Sequence, residues 1–219
     1  EVRMMRSRFD EQLAALSHEL ILMGSLCEEI IALAVTALTE GKPALAAKVA
    51  ALDAQIDQKE RSIESLCLKL LLQQQPVAGD LRQISAALKM ITDMERIGDQ
   101  AGDIAEIVRF LNGRGAENSE LLRRMAKAVI QMVTESVDAY VKHDIMLAEK
   151  VITDDDVVDG CFDQVKTRLI ERIAARPDDG AYALDLLMIA KYFERIGDHA
   201  VNIAEWVIFS VTGVHNTES

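Results

Sequence analysis

The sequence predicts an all-α protein built as two tandem three-helix bundles related by internal duplication, with six long helices. Three observations support this fold class. Half of the 219 residues are apolar but only 4% are aromatic, and the abundant Ala, Leu, Ile and Met favour helices over strands. Apolar residues recur at intervals of three and four over long segments. A twelve-residue segment at Glu95 returns at Glu194 with nine identical positions, which indicates a duplication.

The first half contains three predicted helices. The first covers residues 9–40 and ends at Gly41, because glycine readily adopts the left-handed conformation that terminates a helix. Pro43 is placed to open the second, since proline is tolerated in the first turn, and residues 43–74 carry the apolar pattern of that helix. The third helix runs from residue 77 or 80 to residue 111.

The longest turn-rich stretch covers residues 112–119 at the middle of the chain and predicts the domain boundary. We therefore divide the chain into residues 1–113 and 114–219. The second part again contains three predicted helices: residues 119–141, a helix with Asp144 as N-cap that ends before Pro177, and a helix from Asp178 or Asp179 to Thr212 with Gly213 as its stop. Short connections make neighbouring helices antiparallel.

The repeated segment places carboxylates on one helix face. It reads Glu-Arg-Ile-Gly-Asp-Gln-Ala-Gly-Asp-Ile-Ala-Glu in the first copy and Glu-Arg-Ile-Gly-Asp-His-Ala-Val-Asn-Ile-Ala-Glu in the second. Residues four apart on a helix are separated by about 40°. One face therefore carries Glu95, Asp99 and Asp103, and the equivalent face carries Glu194, Asp198 and Asn202. We expect both faces at or near the surface, because the opposite side of the third helix is apolar.

The preceding helix of each half carries a second acidic pair. Asp53 and Asp57 lie four residues apart in the second helix, and Asp155 and Asp159 do so in the fifth. Aligning these two pairs gives an offset of 102 residues, against 99 for the repeated segment. A small length change in the intervening turn accounts for the difference. If the adjacent helices pack with these motifs level, four carboxylates converge in each half.

Three interpretations of the acids remain open. The first is a solvated acidic face tied by Arg96 and Arg195 in surface ion pairs of little energetic weight. The second is a cation site, because divalent or trivalent metals relieve the repulsion between carboxylates. Oxygen ligands without His or Cys favour iron, manganese, magnesium or calcium, with zinc and nickel as further options. The third is a di-metal oxidase, disfavoured because that class uses Glu-x-x-His and no histidine here has a Glu three residues before it.

Three glycines keep one side of the motif helices small: Gly98, Gly102 and Gly197. Glycine inside a helix costs about 1 kcal/mol relative to alanine, so these positions need a reason. Close packing of a neighbouring helix and close approach of a bound group are both consistent with the sequence.

Composition narrows the functional classes. The formal net charge of −12 argues against nucleic acid and anionic lipid as partners. Cys27, Cys67 and Cys161 are far apart and form no CxxC, which favours a reducing compartment and a cytoplasmic protein. We find no signal peptide and expect no apolar run long enough for a membrane span. The sequence also contains no nucleophilic triad or glycine-rich phosphate loop, so we expect no enzymatic activity.

The chain resembles the PhoU family. The resemblance rests on the doubled segment Glu-Arg-Ile-Gly-Asp-x-Ala-x-(Asp/Asn)-Ile-Ala-Glu, each copy preceded by a helix with Asp-x-x-x-Asp, within six helices arranged as two similar halves. It covers residues 9–213, and Asp80-Leu-Arg82 and Lys89 also fit the first half of the family. Residues 180–182 do not repeat the Asp-Leu-Arg pattern.

The resemblance implies a cytoplasmic negative regulator of the phosphate-starvation response and of phosphate uptake. Such a regulator would couple the Pst phosphate transporter, through its ATPase subunit, to a PhoR-type sensor histidine kinase. It would be a homodimer that reaches the membrane only through these protein partners. The alternative is a metal-storage protein or metal-dependent enzyme of the carboxylate-bundle kind.

The resemblance also implies metal ions on the acidic motifs, with iron as the first expectation and zinc, nickel, manganese, magnesium or calcium as alternatives. Carried over position by position, the ligands would be Asp53, Asp57, Glu95, Asp99 and Asp103 in the first half, and Asp155, Asp159, Glu194 and Asp198 in the second. Asn202 occupies the position of Asp103 and offers an oxygen without a charge. We therefore expect the second site to hold fewer metals or to hold them less tightly.

Overall fold

The computed structural model describes residues 2–73, 76–111, 114 and 119–214. Six long helices account for most of them: α1 (Val2–Glu40), α2 (Ala46–Gln73), α3 (Ala78–Phe110), α4 (Ser119–Lys142), α5 (Ile145–Ala175) and α6 (Gly180–Thr212). The described residues contain no strand, and the prediction of an all-α fold with six long helices is confirmed.

Most helix ends lie where the sequence predicts them. Gly41 has a φ of 60° and lets the Lys42 N–H donate to the Ala37 carbonyl at 2.9 Å, which closes α1. The Asp144 carboxylate caps α5 by accepting from the Leu147 N–H at 3.0 Å. Gly213 ends α6 with a φ of 77°. Each of these residues satisfies backbone groups that the helix end leaves open.

Two helices begin later than predicted. Residues Pro43–Leu45 and Pro177–Asp179 form short 3₁₀ turns, and α2 and α6 start only after them. In each turn a backbone N–H donates to a carbonyl three residues earlier, so proline opens the turn and not the α-helix itself. The predicted boundary at residues 112–119 and the predicted end of the second helix at Gln74 lie almost wholly outside the described residues.

The two three-helix groups pack side by side. Helix α1 contacts α2 and α3, and α4 contacts α5 and α6. The halves meet where α3 lies along α6 and where α1 lies along α4. Residues later in α3 contact residues earlier in α6. Lys89 Nζ lies 5.9 Å from the Trp206 ring centroid, and Asp93 Oδ1 lies 2.9 Å from His199 Nδ1. Helices α3 and α6 are therefore antiparallel, and we call their line of contact the α3–α6 seam.

Helix α1 corrects one sequence prediction. Among the described residues, its segment Phe9–Glu40 is long and apolar enough to cross a membrane by length and composition alone, because an 18-residue stretch within it has a mean hydropathy of 1.9. The expectation that no apolar run reaches this length is wrong. Helix α1 contacts α2, α3 and α4, and a core helix covered on several sides needs apolar residues on more than one face. Such a helix passes the same test as a membrane span.

Candidate functional site

Glycine lets the acidic helices of each half approach closely. A Cβ on Gly98 would lie 2.9 Å from Asp53 Oδ1 and 3.1 Å from Ile56 Cδ1. A Cβ on Gly197 would lie 2.6 Å from Asp155 Oδ1 and 3.5 Å from Val158 Cγ1, which is the same arrangement at the equivalent positions. The offset of 102 residues between the second and fifth helices is thus reproduced in space. Close packing against an acidic side chain explains the two glycines.

The first-half carboxylates influence one another. Burial raises the pKa of Asp53, and the charges of Asp99, Asp57 and Asp103 raise it further. The pKa values of Glu95 and Asp103 are also raised, in both cases by burial first and by the charge of Asp99 next. All five predicted residues therefore lie in one group on α2 and α3, which we call the first acidic cluster (Asp53, Asp57, Glu95, Asp99, Asp103).

Besides Arg61, whose Nη2 lies 3.6 Å from Asp57 Oδ2, Arg96 pairs with the first acidic cluster. Its Nη1 donates to Asp99 Oδ2 at 2.9 Å, and its Nε lies 3.4 Å from Glu95 Oε2. The Arg96 side chain is 55% exposed, so these pairs contribute little stability. The Oδ1 atom of Asp53, in contrast, is buried and has no hydrogen-bond partner. Arg96 therefore neutralises the outer acids of the cluster and not the inner one.

The second-half carboxylates form an equivalent group, the second acidic cluster (Asp155, Asp159, Glu194, Asp198). Burial raises the pKa of Asp155 to about 7, with further increases from the charges of Asp159, Asp198 and Glu194. Burial and then Glu194 raise the pKa values of Asp159 and Asp198. Asp155 Oδ1 is buried without a hydrogen-bond partner, as Asp53 Oδ1 is. Asp159 and Asp198 lie at the exposed edge.

The second acidic cluster has a different basic residue. The Lys191 ammonium forms an ion pair with Glu194 Oε2 and opposes the rise in the pKa values of Asp159 and Asp198. Arg195 is the counterpart of Arg96, but it stacks over Tyr192 at 5.8 Å from the ring centroid. The surface pair expected between Arg195 and the motif aspartate is therefore absent from the described ion pairs, whereas the Arg96 pair is present.

The exchange of aspartate for asparagine in the second motif is explained by the α3–α6 seam. The Asn202 Nδ2 donates to Asp93 Oδ1 at 3.1 Å. The His199 Nδ1 lies 2.9 Å from the same oxygen. An amide can donate to this carboxylate, whereas a second carboxylate would repel it. Asn202 thus contacts the other half of the molecule and is turned toward Asp93.

Sequence reasoning missed two residues at the clusters. Glu60 lies one turn after Asp57 on α2, and burial followed by the charges of Glu64 and Asp57 raises its pKa. Lys191 lies one turn before Glu194. Each follows the helical spacing of the motifs, which was the available signal. Neither recurs in the other half, so a search for repeated acids passes over both.

A groove of about 460 Å³ lies beside the first acidic cluster, between the start of α2 and the end of α3. Asp53 lines one part of it, and the small residues Ala50 and Gly102 line another part and leave it open. The equivalent positions in the second half are Ile152 and Val201, which pack against the core. Solvent and ions therefore reach Asp53 more easily than Asp155, because the side chains beside Asp155 are larger.

The donor set and the unpartnered oxygens of both clusters suit a hard cation. Carboxylate oxygens are the ligands that magnesium, calcium, manganese and iron accept, and Asp53 Oδ1 and Asp155 Oδ1 have no other partner. In the described ranges, however, no three acidic, histidine or cysteine side chains are gathered tightly enough to hold a metal ion as they stand. The motifs lie level on the packed helices, and metal binding would require the carboxylates to move closer together than they lie in this structure.

Comparison with known proteins identifies the family. A model described as the PhoU domain matches residues 20–108 and again residues 122–207. The "Phosphate-specific transport system accessory protein PhoU homolog" of Clostridium acetobutylicum is 34% identical over 214 residues, covering 96% of this chain and 97% of the relative. The protein of the same name from Pseudomonas aeruginosa is 35% identical over 208 residues, covering 94% of this chain and 86% of the relative.

Solved structures agree with these relatives. The crystal structure of PhoU from Pseudomonas aeruginosa superposes with a TM-score of 0.88 at 35% identity, covering 94% of this chain and all (100%) of that one. The phosphate transport system regulatory protein PhoU from Streptococcus pneumoniae superposes with a TM-score of 0.86 at 26% identity, covering 96% and 100%. With two matched domains, near-complete coverage and the repeated acidic segment, this chain belongs to the PhoU family.

Proposed function

We propose that the protein is a regulatory accessory protein of phosphate-specific transport. It restrains phosphate uptake and the phosphate-starvation response when phosphate is abundant. The observation that carries the proposal is similarity over nearly the whole chain to proteins named as accessory proteins of the phosphate-specific transport system. Its proposed partners are the ATPase subunit of the Pst transporter and a PhoR-type histidine kinase, contacted at the cytoplasmic face of the membrane by a dimer of this chain.

The proposed activity is docking and not catalysis. The carboxylates of each acidic cluster lie near one another, and His199, beside the second acidic cluster, lies within hydrogen-bonding distance of Asp93 across the seam. General acid–base chemistry needs a group positioned toward a substrate. Oxidation of ferrous iron by oxygen in the presence of the purified protein, faster than without protein, would instead support the carboxylate-bundle oxidase or storage alternative.

Deletion of the gene tests the regulatory role. In cells grown with abundant phosphate, we expect loss of the protein to raise alkaline phosphatase activity, because the starvation response is no longer restrained. Restoring the wild-type gene should return the activity to its repressed level. Unchanged phosphatase activity in the deletion strain, in a host with a single copy of the gene, would contradict the proposal.

We further propose that both acidic clusters bind metal ions and that the bound ions stabilise the surface presented to the partners. Asp53, Asp99 and Glu95 would hold the first-half ion together with Asp57 and Asp103. Asp155, Asp159, Glu194 and Asp198 would hold the second-half ion. A bound cation supplies positive charge that neutralises mutually repelling carboxylates. The two unpartnered inner oxygens support this proposal.

Metal titration tests this part of the proposal. Protein purified without chelator or affinity metal should contain iron or another of the candidate metals by elemental analysis. Adding manganese to chelator-treated protein should raise the melting temperature, and Asp99→Ala with Asp198→Ala should abolish the rise. Asp138→Asn is the matched control, since Asp138 is an exposed acid paired with Lys142 on α4 and lies outside both clusters. Wild-type protein that is purified without metal, and whose Asp99→Ala and Asp198→Ala variants keep full regulation, would leave the acids as a solvated face.

A further inference from the structure

Positive charge is gathered at one end of the second half. Residues 120–127 of α4 and residues 166–176 of α5 carry seven cations and two acids, although the chain as a whole has a net charge of −12. The equivalent stretch of α2, residues 64–74, carries one lysine and one glutamate. The concentration of cations is therefore a property of the second half and not of the repeated fold.

The two basic stretches lie side by side, because α4 and α5 pack together. A small cleft of about 30 Å³ lies between the start of α4 and the end of α5. Its apolar walls include Leu121, Leu122, Val165 and Leu169, and the side chains of Arg168 and Arg172 also line it. A space of this size fits the end of one aliphatic side chain.

Most of the cations at this end have no charged partner within the protein. Arg172 is paired with Asp179, but five others are exposed and form no ion pair with another described residue. We call these five the basic surface (Arg123, Arg124, Lys127, Arg168, Arg176). The two arginines near the start of α4 also gain nothing from the helix dipole, which favours acids at a helix start. Neither ion pairing nor helix stability accounts for them.

Arg124 and Arg168 lie at the junction of the two helices. Arg124 is three residues after Leu121 and eleven before Glu135, so the three side chains share one side of α4. Glu135 Oε2 accepts from Lys150 Nζ of α5 at 2.6 Å, and this side of α4 is therefore the one next to α5. Arg168 lines the cleft that Leu121 also lines. An approaching group at this junction meets both guanidinium groups.

We propose that the basic surface and the cleft form a docking site for an acidic segment of a protein partner. The inference rests on the proposed regulatory function and assigns the surface that one of its partners contacts. Guanidinium groups bind carboxylates through two parallel hydrogen bonds, and the cleft receives an aliphatic side chain of the same segment. A lipid bilayer presents no side chain to such a cleft, and the net charge of −12 repels an anionic membrane.

The lack of internal ion pairs favours docking at this surface. A carboxylate that binds an already paired cation must displace the earlier partner, whereas Arg124 and Arg168 have no described ion-pair partner to displace. Opposite charges also attract before contact, which raises the association rate and makes it sensitive to salt. The basic surface is therefore suited to rapid and reversible binding.

Charge reversal tests the inference. We expect Arg124→Glu with Arg168→Glu to weaken binding to the purified ATPase subunit of the Pst transporter, or to the cytoplasmic region of the PhoR-type kinase, at least about tenfold. Surface plasmon resonance at several salt concentrations measures the affinity, and the loss should be larger at low salt. Arg124→Lys with Arg168→Lys keeps the charge and should weaken binding less than the reversal does.

Two lysines of the first half provide the matched control. Lys48 and Lys69 of α2 are exposed and form no ion pair with another described residue. Lys48→Glu with Lys69→Glu changes the net charge by the same amount and should leave the affinity within about twofold of wild type, because these lysines lie outside the docking site. All of these variants should keep the wild-type melting temperature, since none of them breaks a described ion pair.

The outcomes separate this inference from the proposed function. Binding of both partners that charge reversal leaves unchanged, or that the α2 control weakens equally, would overturn the docking site and leave the regulatory role intact. Failure of wild-type protein to bind either partner would overturn the proposed partners, and this inference with them. Adsorption to phosphatidylglycerol vesicles that charge reversal abolishes, while partner binding persists, would assign the basic surface to anionic lipid instead.

Discussion

Asp155 Oδ1 is buried without a hydrogen-bond partner, and burial is the main reason that the pKa of Asp155 is raised to about 7. Because the folded pKa exceeds the unfolded value, the ionised group opposes folding increasingly as the pH rises from about 4 to about 7. We expect Asp155→Asn to raise the melting temperature of chelator-treated protein at pH about 8 and to have a smaller effect at pH about 5. In excess manganese the same substitution should be destabilising, since it removes a carboxylate ligand. A gain independent of both pH and metal would contradict this prediction.

Gly197 tests the close approach of α5 and α6. Alanine normally stabilises a helix interior by about 1 kcal/mol relative to glycine, and we expect this gain for Gly160→Ala, where nothing lies within 4 Å of the added Cβ. Gly197→Ala should show no such gain, because its Cβ would meet Asp155 Oδ1 at 2.6 Å. In an Asp155→Ala background the gain should return. Denaturant unfolding of the single and double variants measures the difference.

The sequence predicted some residues of the acidic clusters and not others. Repetition picked out Asp53 and Asp155 correctly as neighbours of the motif helices, because helical periodicity and a shared offset constrain both. Lys191 and Glu60 were missed because each occurs in only one half. The contact of Arg195 with Tyr192 also could not be predicted. A long side chain can reach several partners, and which of them lie nearby depends on how the helices pack.

At the scale of the elements, Asp179 links α5, the segment that follows α3 and the turn that leads into α6. Its Oδ2 accepts from Arg172 Nη2 of α5 at 2.8 Å, and its Oδ1 accepts from Arg114 Nη2 at 3.2 Å. Arg114 follows α3, and Asp179 closes the 3₁₀ turn that leads into α6. The two arginines also lie over the Tyr182 ring, at 4.0 Å and 5.1 Å from its centroid. This junction fixes the end of α3 against the start of α6.

The junction predicts a dependence on acid. The hydrogen bonds from Arg172 are the first cause of a lowered pKa of Asp179. A lowered folded pKa contributes stability above the unfolded value near 3.9 and loses it as the pH falls through the folded value. We expect Asp179→Asn to lower the melting temperature at pH about 7, with the difference from wild type disappearing at pH about 2. A difference that persists in acid would mean that packing and not charge accounts for it.

Helix ends could be predicted where one residue dictates the backbone, as at Gly41 and Asp144. Proline gave less information, since Pro43 and Pro177 open 3₁₀ turns that postpone the helices. The apolar length of α1 was underestimated because periodicity assumes one buried face. Helix α1 contacts three other helices, and only the packed molecule reveals how many sides are covered.

At the scale of the whole molecule, the α3–α6 seam joins unlike residues at equivalent positions. Asp93 accepts a hydrogen bond from Asn202. The residues at the equivalent positions of the other half are Tyr192 and Asp103. Arg195 stacks on Tyr192 and counteracts the rise in the pKa of Asp103. The seam thus compensates Asp93 with an amide and an imidazole, and Asp103 with a guanidinium.

Restoring the motif aspartate therefore disturbs the seam. We expect Asn202→Asp to destabilise the protein by about 1 kcal/mol at neutral pH, because a donated hydrogen bond is replaced by repulsion from Asp93. The double variant Asp93→Asn, Asn202→Asp should recover most of that loss, since it re-creates an amide–carboxylate pair with the groups exchanged. Equilibrium denaturation of the four proteins gives the coupling energy. Full additivity would show that the two residues do not interact.

The repeat in the sequence predicted two similar bundles, and the paired domain matches agree with it. The repeat could not predict how the bundles pack against each other, because a duplication indicates the fold of each copy and not which surfaces of the copies are in contact. Asn202 illustrates this limit. Within its own half it reads as a weakened ligand, and across the seam it is a hydrogen-bond donor to the other half.

The seam also has a consequence for how the two halves can pair. Two first halves joined in the same way would place an Asp103 carboxylate against Asp93 on both sides of a two-fold axis, and two second halves would place Asn202 against Tyr192 twice. The present chain contains neither symmetric pairing. The two halves are therefore complementary at the seam and not interchangeable, since each supplies a side chain that the other half lacks at the equivalent position.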